Sequence, residues 1–231
     1  MAIKPILFNT EMVRAILDGR KSCTRRLVKP QPNEKHTYQL GFVTDSTEKK
    51  EVGCFGFGID EYGGSIQYAK PPYQPGDILY VRETWGISNL NYESKIAYIV
   101  YRASEEQENE GCRKVHLPDE KFEKMYESMA ESEPEWHPSI HMPKEAARIW
   151  LKVTDVRVER LQDITADSIR NEGLSSLAVH CGDMEIALKE WENLWNSTIK
   201  KSDIDRYGWG ANPWVWVIEF ERCKKPEEGE R

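Results

Sequence analysis

The 231-residue chain is 31% charged, with 39 acidic against 32 basic residues and a formal charge of -7. That balance is a poor footprint for non-specific duplex binding, which needs many phosphate contacts, although it leaves room for a local basic site. No stretch approaches a membrane span, MAIKPILFNT lacks the apolar core of a secretory signal, and five cysteines without a CxxC spacing argue against a disulfide framework. A reducing, cytoplasmic setting is the expectation.

Ile3 to Asn9 reads as a short strand, and Asn9 or Thr10 caps a helix with Met12, Val13, Ile16 and Leu17 on one face. Gly19 stands where a helix-ending glycine belongs. GRKSCTRRL, Gly19 to Leu27, is then the exit from that helix, its side chains turned to a cleft or to solvent. Residues 30–75 combine PQPNEK, a hairpin pattern around QLGFVTDSTEKKEVGCFGFG, and PPYQPGD, which predicts an inserted β-rich excursion. Ile78, Leu79 and Val81 mark the next strand and Ile96 to Tyr101 another. Residues 102–143 form a second insertion, with a helix near Glu120 to Ala130.

Arg148 to Arg160 is a long strand whose apolar phase shifts from Ile149, Leu151 and Val153 to Val156 and Val158, predicting a bulge near Thr154 or Asp155. Thr165 caps a short helix that Gly173 ends. Asp183 opens a stronger helix, with Met184, Ala187, Leu188, Trp191 and Leu194 or Trp195 at helical spacing. In the closing strand Trp214, Trp216, Ile218 and Phe220 alternate with Val215, Val217, Glu219 and Glu221, as in a half-buried strand. Residues 223–231 are expected to fray. Helices and strands do not alternate regularly, so a doubly wound parallel sheet is disfavoured. The expected class is α+β, a small mixed β-barrel with peripheral helices and two long insertions, as one domain over residues 1–222.

Gly19, Lys21, Thr24 and Arg26 reproduce the GxKxxTxR pattern of ASCH domains, and here the chain resembles that family of the PUA-like superfamily. The strand and helix before the pattern, the Gly76–Asp77 turn into ILYV, the ITxxxxxxEG helix from Ile164 to Gly173 and the WVIEF strand from Trp216 to Phe220 also match. Larger phage and prophage members share the phrases GRKxxTRRLVKP, GDxLYVRETW and NPWVWVIEF. The likeness covers roughly residues 2–27, 76–101, 148–173 and 214–221, and omits both insertions and the Asp183 helix. It implies a PUA-like barrel with a cleft for RNA or a nucleotide-like ligand. One branch of the family hydrolyses N4-acetylcytidine; its catalytic lysine and threonine match Lys21 and Thr24, and its glutamate matches Glu172. No metal or other cofactor is implied.

The residues can be read without the likeness. An amide hydrolase needs a nucleophile and a base that is neutral at working pH. Thr24 is a weak nucleophile alone, and Lys21 becomes a base only if burial or the neighbouring Arg20, Arg25 and Arg26 disfavour its ammonium. Glu172 pulls the other way. A solvated basic loop is the bland alternative. Trp85, Tyr207 and Trp209 are candidate platforms for a base, or equally loop anchors. His137 and His141 do not make a helical metal pair, because Pro138 lies between them. The expected function is binding of a nucleic acid or modified nucleobase, with Lys21, Thr24, Arg26 and Glu172 lining the cleft and Arg20 and Arg25 assisting. The alternatives are an acylcytidine amidohydrolase using Lys21, Thr24 and Glu172, and a phage-encoded protein that binds a host protein through its insertions.

Overall fold

Strand β1 (Ile3–Leu7) leads into helix α1 (Thr10–Leu17), which begins at Asn9 because its side chain accepts a hydrogen bond from the Met12 amide at 2.9 Å. Gly19, at φ +74°, ends it. The computed structural model describes residues 1–104, 112–131, 136–174 and 181–227. The architecture is mixed α+β, with three sheets and several helices. The chain divides into two compact units. The first comprises residues 1–20, 76–152 and 221–231, and the second residues 21–75 and 153–220.

In the first unit β1 runs parallel to β6 (Ile78–Arg82), with Ile3 opposite Ile78. The first residues of β10 (Trp150–Arg160) pair antiparallel with β6. A second sheet has the order β7 (Trp85–Asn91), β8 (Ile96–Tyr101), β9 (Arg113–His116). Its core gathers Ile78, Trp85, Ile87, Ile99, Val115 and Trp150, with Phe122 from α2 (Asp119–Glu131). The expected helix in the second insertion is thus α2, while residues 105–111 and 132–135 of that insertion lie outside the described residues.

In the second unit the strand order is β10, β11 (Trp214–Cys223), β2 (Cys23–Leu27), with β2 and β11 antiparallel and Thr24 opposite Ile218. The first insertion supplies a three-stranded sheet of β3 (Tyr38–Phe42), β4 (Phe55–Gly58) and β5 (Ile66–Ala69). Helix α3 (Ala166–Asn171) is followed by α4 (Met184–Thr198) and the short α5 (Ile204–Tyr207). None of the three strand orders closes on itself among the described residues.

Two expectations change. The GRKSCTRRL stretch is not an open exit, since its last five residues form β2 and Lys21, Cys23, Thr24 and Arg25 are buried. Nor is β11 half-buried, because Trp214 to Ile218 are all buried. Phe42, Phe55 and Phe57 of the inserted sheet lie 5.3–6.3 Å from the rings of Trp214 and Trp216 on one face. Val215 and Val217 join a cluster with Ile169, Ala187, Trp191 and Trp195. Helix and insertion together exclude water from both faces. In β10 the burial alternation slips between Val153 and Val156, where the sequence phase slips. Of the tail expected to fray, 223–231, Cys223 still belongs to β11 and residues 228–231 lie outside the described residues. Among the described residues no helix is long and apolar enough to cross a membrane.

Candidate functional site

The second unit stitches the C-terminus of α3 to the start of β2. Thr165 caps α3 by accepting from the Ser168 amide at 3.3 Å, and Gly173 at φ +94° turns the chain away after Glu172. The Ser22 amide then donates to the Asn171 carbonyl at 2.9 Å, and Lys21 and Glu172 form an isolated antiparallel bridge. Helix ends leave carbonyls unsatisfied. Lys21 Nζ answers one of them, donating to the Glu172 carbonyl oxygen at 2.9 Å, and the same nitrogen donates to Glu172 Oε2 at 2.7 Å. A carboxylate is unfavourable beside the negative end of a helix. Lys21 offsets that conflict.

Arg25 completes the cluster. Its NH1 donates to Glu172 Oε1 at 3.2 Å and its NH2 to Glu159 Oε2 at 3.1 Å, so Glu172 bridges two cations through separate oxygens. The side chains of Lys21 and Arg25 are 0% exposed and that of Glu172 2%, whereas Glu159 is 24% exposed and opens the network to solvent. Glu159 also accepts from Arg157 Nε at 2.6 Å, and Arg157 in turn pairs with Asp155 and Glu219. Charges of opposite sign therefore alternate from the buried Glu172 outward. The Arg25 guanidinium lies 5.9 Å from the Trp191 ring of α4. Buried charges persist only when paired and hydrogen-bonded, and here each is.

Strand alternation divides the rest of the motif. The antiparallel register sets Cys23, Arg25 and Leu27 on the face of Glu219, Val217 and Val215, and Thr24 and Arg26 on the face of Ile218 and Trp216. Thr24 Oγ1 accepts from Arg26 NH1 at 2.9 Å, and the same NH1 donates to the Arg25 carbonyl at 3.0 Å. Burial lowers the Arg26 pKa from the ordinary guanidinium range, against the opposing pull of Glu172 and of Tyr73. Burial likewise raises the Tyr73 phenol, against Arg26. On the other face burial first, and then Glu172, push the Cys23 thiol up to about 12, with Lys21 and Arg25 opposing.

The structure therefore gathers Lys21, Arg25 and Glu172 into one ionic cluster and sets Thr24 and Arg26 together on the opposite face of β2. Arg20 belongs to the first unit and pairs with Asp18 at 2.8 Å. Trp85 is buried in the first unit, its ring 4.8 Å from that of His137. Tyr207 and Trp209 follow α4 in the second unit, with Lys29 Nζ 5.7 Å and the Arg206 guanidinium 5.0 Å from the Tyr207 ring. Sequence reasoning missed Glu159, Arg157 and Tyr73. The first two were signalled by the charged positions 155, 157 and 159 interleaved with Val156 and Val158. Tyr73 carries no signal of its own in PPYQPGD. Among the described residues no group of three or more His, Cys, Asp and Glu side chains could hold a metal ion. Comparison with protein-family models, with curated proteins and with solved structures finds no match to this chain.

Proposed function

We propose that the chain is an ASCH-type protein of PUA-like fold that binds a single-stranded nucleic acid or a modified nucleobase, and that β2 presents the contact. The carrying observation is the assembly around β2. Lys21 and Arg25 are held in an ionic network with Glu172, Glu159, Arg157, Asp155 and Glu219, and Arg26 is set on the opposite face of β2 beside Thr24. Within this reading the buried Lys21–Glu172–Arg25 cluster positions β2. Arg26, only partly buried and electrostatically coupled to the phenol of Tyr73, is the ligand-facing cation.

The test is fluorescence anisotropy with short RNA and single-stranded DNA, supplemented by a nucleoside panel. Arg26→Ala is expected to weaken binding about tenfold and to reduce the salt slope by roughly 0.7, one phosphate contact on a single strand. Its unfolding free energy should fall by about 1 kcal/mol, the worth of its hydrogen bonds to Thr24 and the Arg25 carbonyl, and so leave the chain folded. Absence of affinity for every ligand, or affinity indifferent to Arg26→Ala, overturns the proposal.

The contact between Lys21 Nζ and Glu172 Oε2 favours a second reading, hydrolysis of an N4-acylated cytidine. Water would supply the hydroxyl of the released acid and a proton for the departing amine. Against it, the same carboxylate stabilises the ammonium form that a lysine base must leave. Loss of N4-acetylcytidine absorbance, abolished by Glu172→Gln, would establish it. No turnover across acylated nucleosides removes it.

A further inference from the structure

We infer that residues 204–212 of the second unit form a base-recognition subsite and that the base it takes is guanine; the inference rests on the nucleic-acid reading above. Helix α5 and the 3-10 turn Trp209–Ala211 frame a concavity of about 310 Å³. That is the lower end of the range for small-molecule sites. Asn196, Asp205, Trp209 and Gly210 contribute to its lining.

The elbow is built to hold its shape. The Trp209 amide donates to Asn196 Oδ1 at 2.8 Å, and the Trp209 carbonyl accepts from Gln162 Nε2 at 2.8 Å. The Tyr207 carbonyl accepts from Trp195 Nε1 at 2.9 Å. Asn212, in the left-handed region at φ +46°, closes the turn and accepts from the Gln162 amide through Oδ1 at 2.9 Å. A Cβ at Gly208 would lie 2.5 Å from the Ile204 carbonyl oxygen, so the close approach of the two backbones needs glycine there. A Cβ at Gly210 would meet nothing within 4 Å. A preorganised concavity orders little on binding, which favours a ligand over mere chain closure.

Its chemistry selects the base. Trp209 packs partly on the core cluster and stays partly exposed, as a stacking platform must. Asp205 is exposed and forms no ion pair among the described residues. A carboxylate accepts two parallel hydrogen bonds. Among the four bases, guanine alone offers two adjacent donors, N1–H and the N2 amino group, on its Watson–Crick edge. Adenine sets an acceptor beside its amino group, cytosine does the same, and uracil flanks one N–H with two carbonyls. Lys29 and Arg206, flanking Tyr207, are the cations for the attached phosphate. Two tryptophans of α4 connect the elbow to the ionic cluster. Arg25 stands over Trp191, the rings of Trp191 and Trp195 are 6.2 Å apart, and Trp195 holds the Tyr207 carbonyl.

The test measures competition by GMP, AMP, CMP and UMP against a labelled short RNA, on the full chain. GMP is expected to outcompete AMP by about tenfold or more, the worth of a good bidentate contact. Asp205→Asn should remove that preference while leaving AMP affinity within twofold. Because Trp209→Ala removes core packing as well, Gly210→Leu, which adds a side chain in open space, is the second variant and should weaken all four nucleotides. If RNA binds and Arg26→Ala weakens it, but there is no GMP preference or it survives Asp205→Asn, the guanine subsite is overturned and the nucleic-acid reading stands. If no nucleotide or RNA binds at all, the nucleic-acid reading falls and the subsite falls with it.

Discussion

Removing either partner of a buried ion pair leaves the other charge uncompensated, which costs about 3–5 kcal/mol. Lys21 and Glu172 meet that description, with side chains 0% and 2% exposed and a 2.7 Å contact. Neither would be left wholly alone. In Lys21→Met the Glu172 carboxylate keeps Arg25, and in Glu172→Gln the Lys21 nitrogen keeps the Glu172 carbonyl. The lower end, about 3 kcal/mol for each single substitution, is therefore the expectation. Against a net stability of about 5–15 kcal/mol that is a large share. With a urea slope of about 1–3 kcal/mol/M it moves the midpoint down by about 1 M or more. The double variant Lys21→Met/Glu172→Gln removes the charges together, so it should cost about 2 kcal/mol less than the sum of the singles. Urea titrations read by tryptophan fluorescence and by far-UV circular dichroism provide the cycle. Both probes are needed because the chain forms two compact units, and two-state behaviour must be demonstrated. Single losses below about 1 kcal/mol, or additivity within about 0.5 kcal/mol, would mean that the Lys21 ammonium reaches water and the buried cluster is misdescribed.

Alkylation followed by mass spectrometry at pH 9 should modify the exposed Cys112 and Cys181 and spare Cys23, whose thiol is pushed up to about 12; equal labelling of all three refutes the assignment. Since the unfolded Cys23 thiol loses its proton from about 9 while the folded one retains it to about 12, its contribution to stability falls as pH rises through that window, by about 1.4 kcal/mol per pH unit. Cys23→Ala should accordingly lose about 1 kcal/mol less than the wild type between pH 9 and 10, and identical pH profiles would contradict this. Gly208→Ala should destabilise by about 1–3 kcal/mol in the same urea titrations, because its Cβ would press the Ile204 carbonyl oxygen at 2.5 Å. Gly210→Ala, with open space around the added carbon, is its control and should be neutral.

Local signals located most of the elements. Thr165 and Asp183 cap the helices they were expected to cap, and of Asn9 and Thr10 it is Asn9 that caps α1, because a side-chain acceptor three residues ahead of an orphan amide is a short-range device. Gly19 and Gly173 adopt the positive φ that helix ends require. What alternation within β11 could not reveal was the covering of both its faces, which depends on Phe42, Phe55 and Phe57 arriving from an insertion more than 150 residues earlier in the chain. The same limit hid the partners of Arg25. Glu159, which accepts from Arg25, and Arg157, which donates to Glu159 in turn, look like the polar face of an ordinary strand until β10, β11 and β2 are placed side by side.

The division of GRKSCTRRL by β2 bears directly on function. As a loop, the stretch would have let Lys21, Thr24, Arg25 and Arg26 converge on one ligand. As a strand it must send Arg25 and Arg26 to opposite faces, and the pairing with β11 fixes which goes where. Arg25 is thereby committed to Glu172 and Glu159, buried and structural in its contacts. Arg26 is held against Thr24 and faces the inserted sheet side, where Tyr73 is its aromatic neighbour in charge. Motif cations that look alike in sequence are thus divided by the strand, Arg25 setting it in place and Arg26, in the proposed function, being the one to meet the ligand. Comparing the two arginine variants separates those duties. Arg25→Ala leaves Glu172 with Lys21 alone and should lower stability by about 3 kcal/mol and binding with it, whereas Arg26→Ala should lower binding at a stability cost of only about 1 kcal/mol. A chain in which both variants lost binding equally, with stability intact, would have a single open cationic cleft, contrary to the strand geometry.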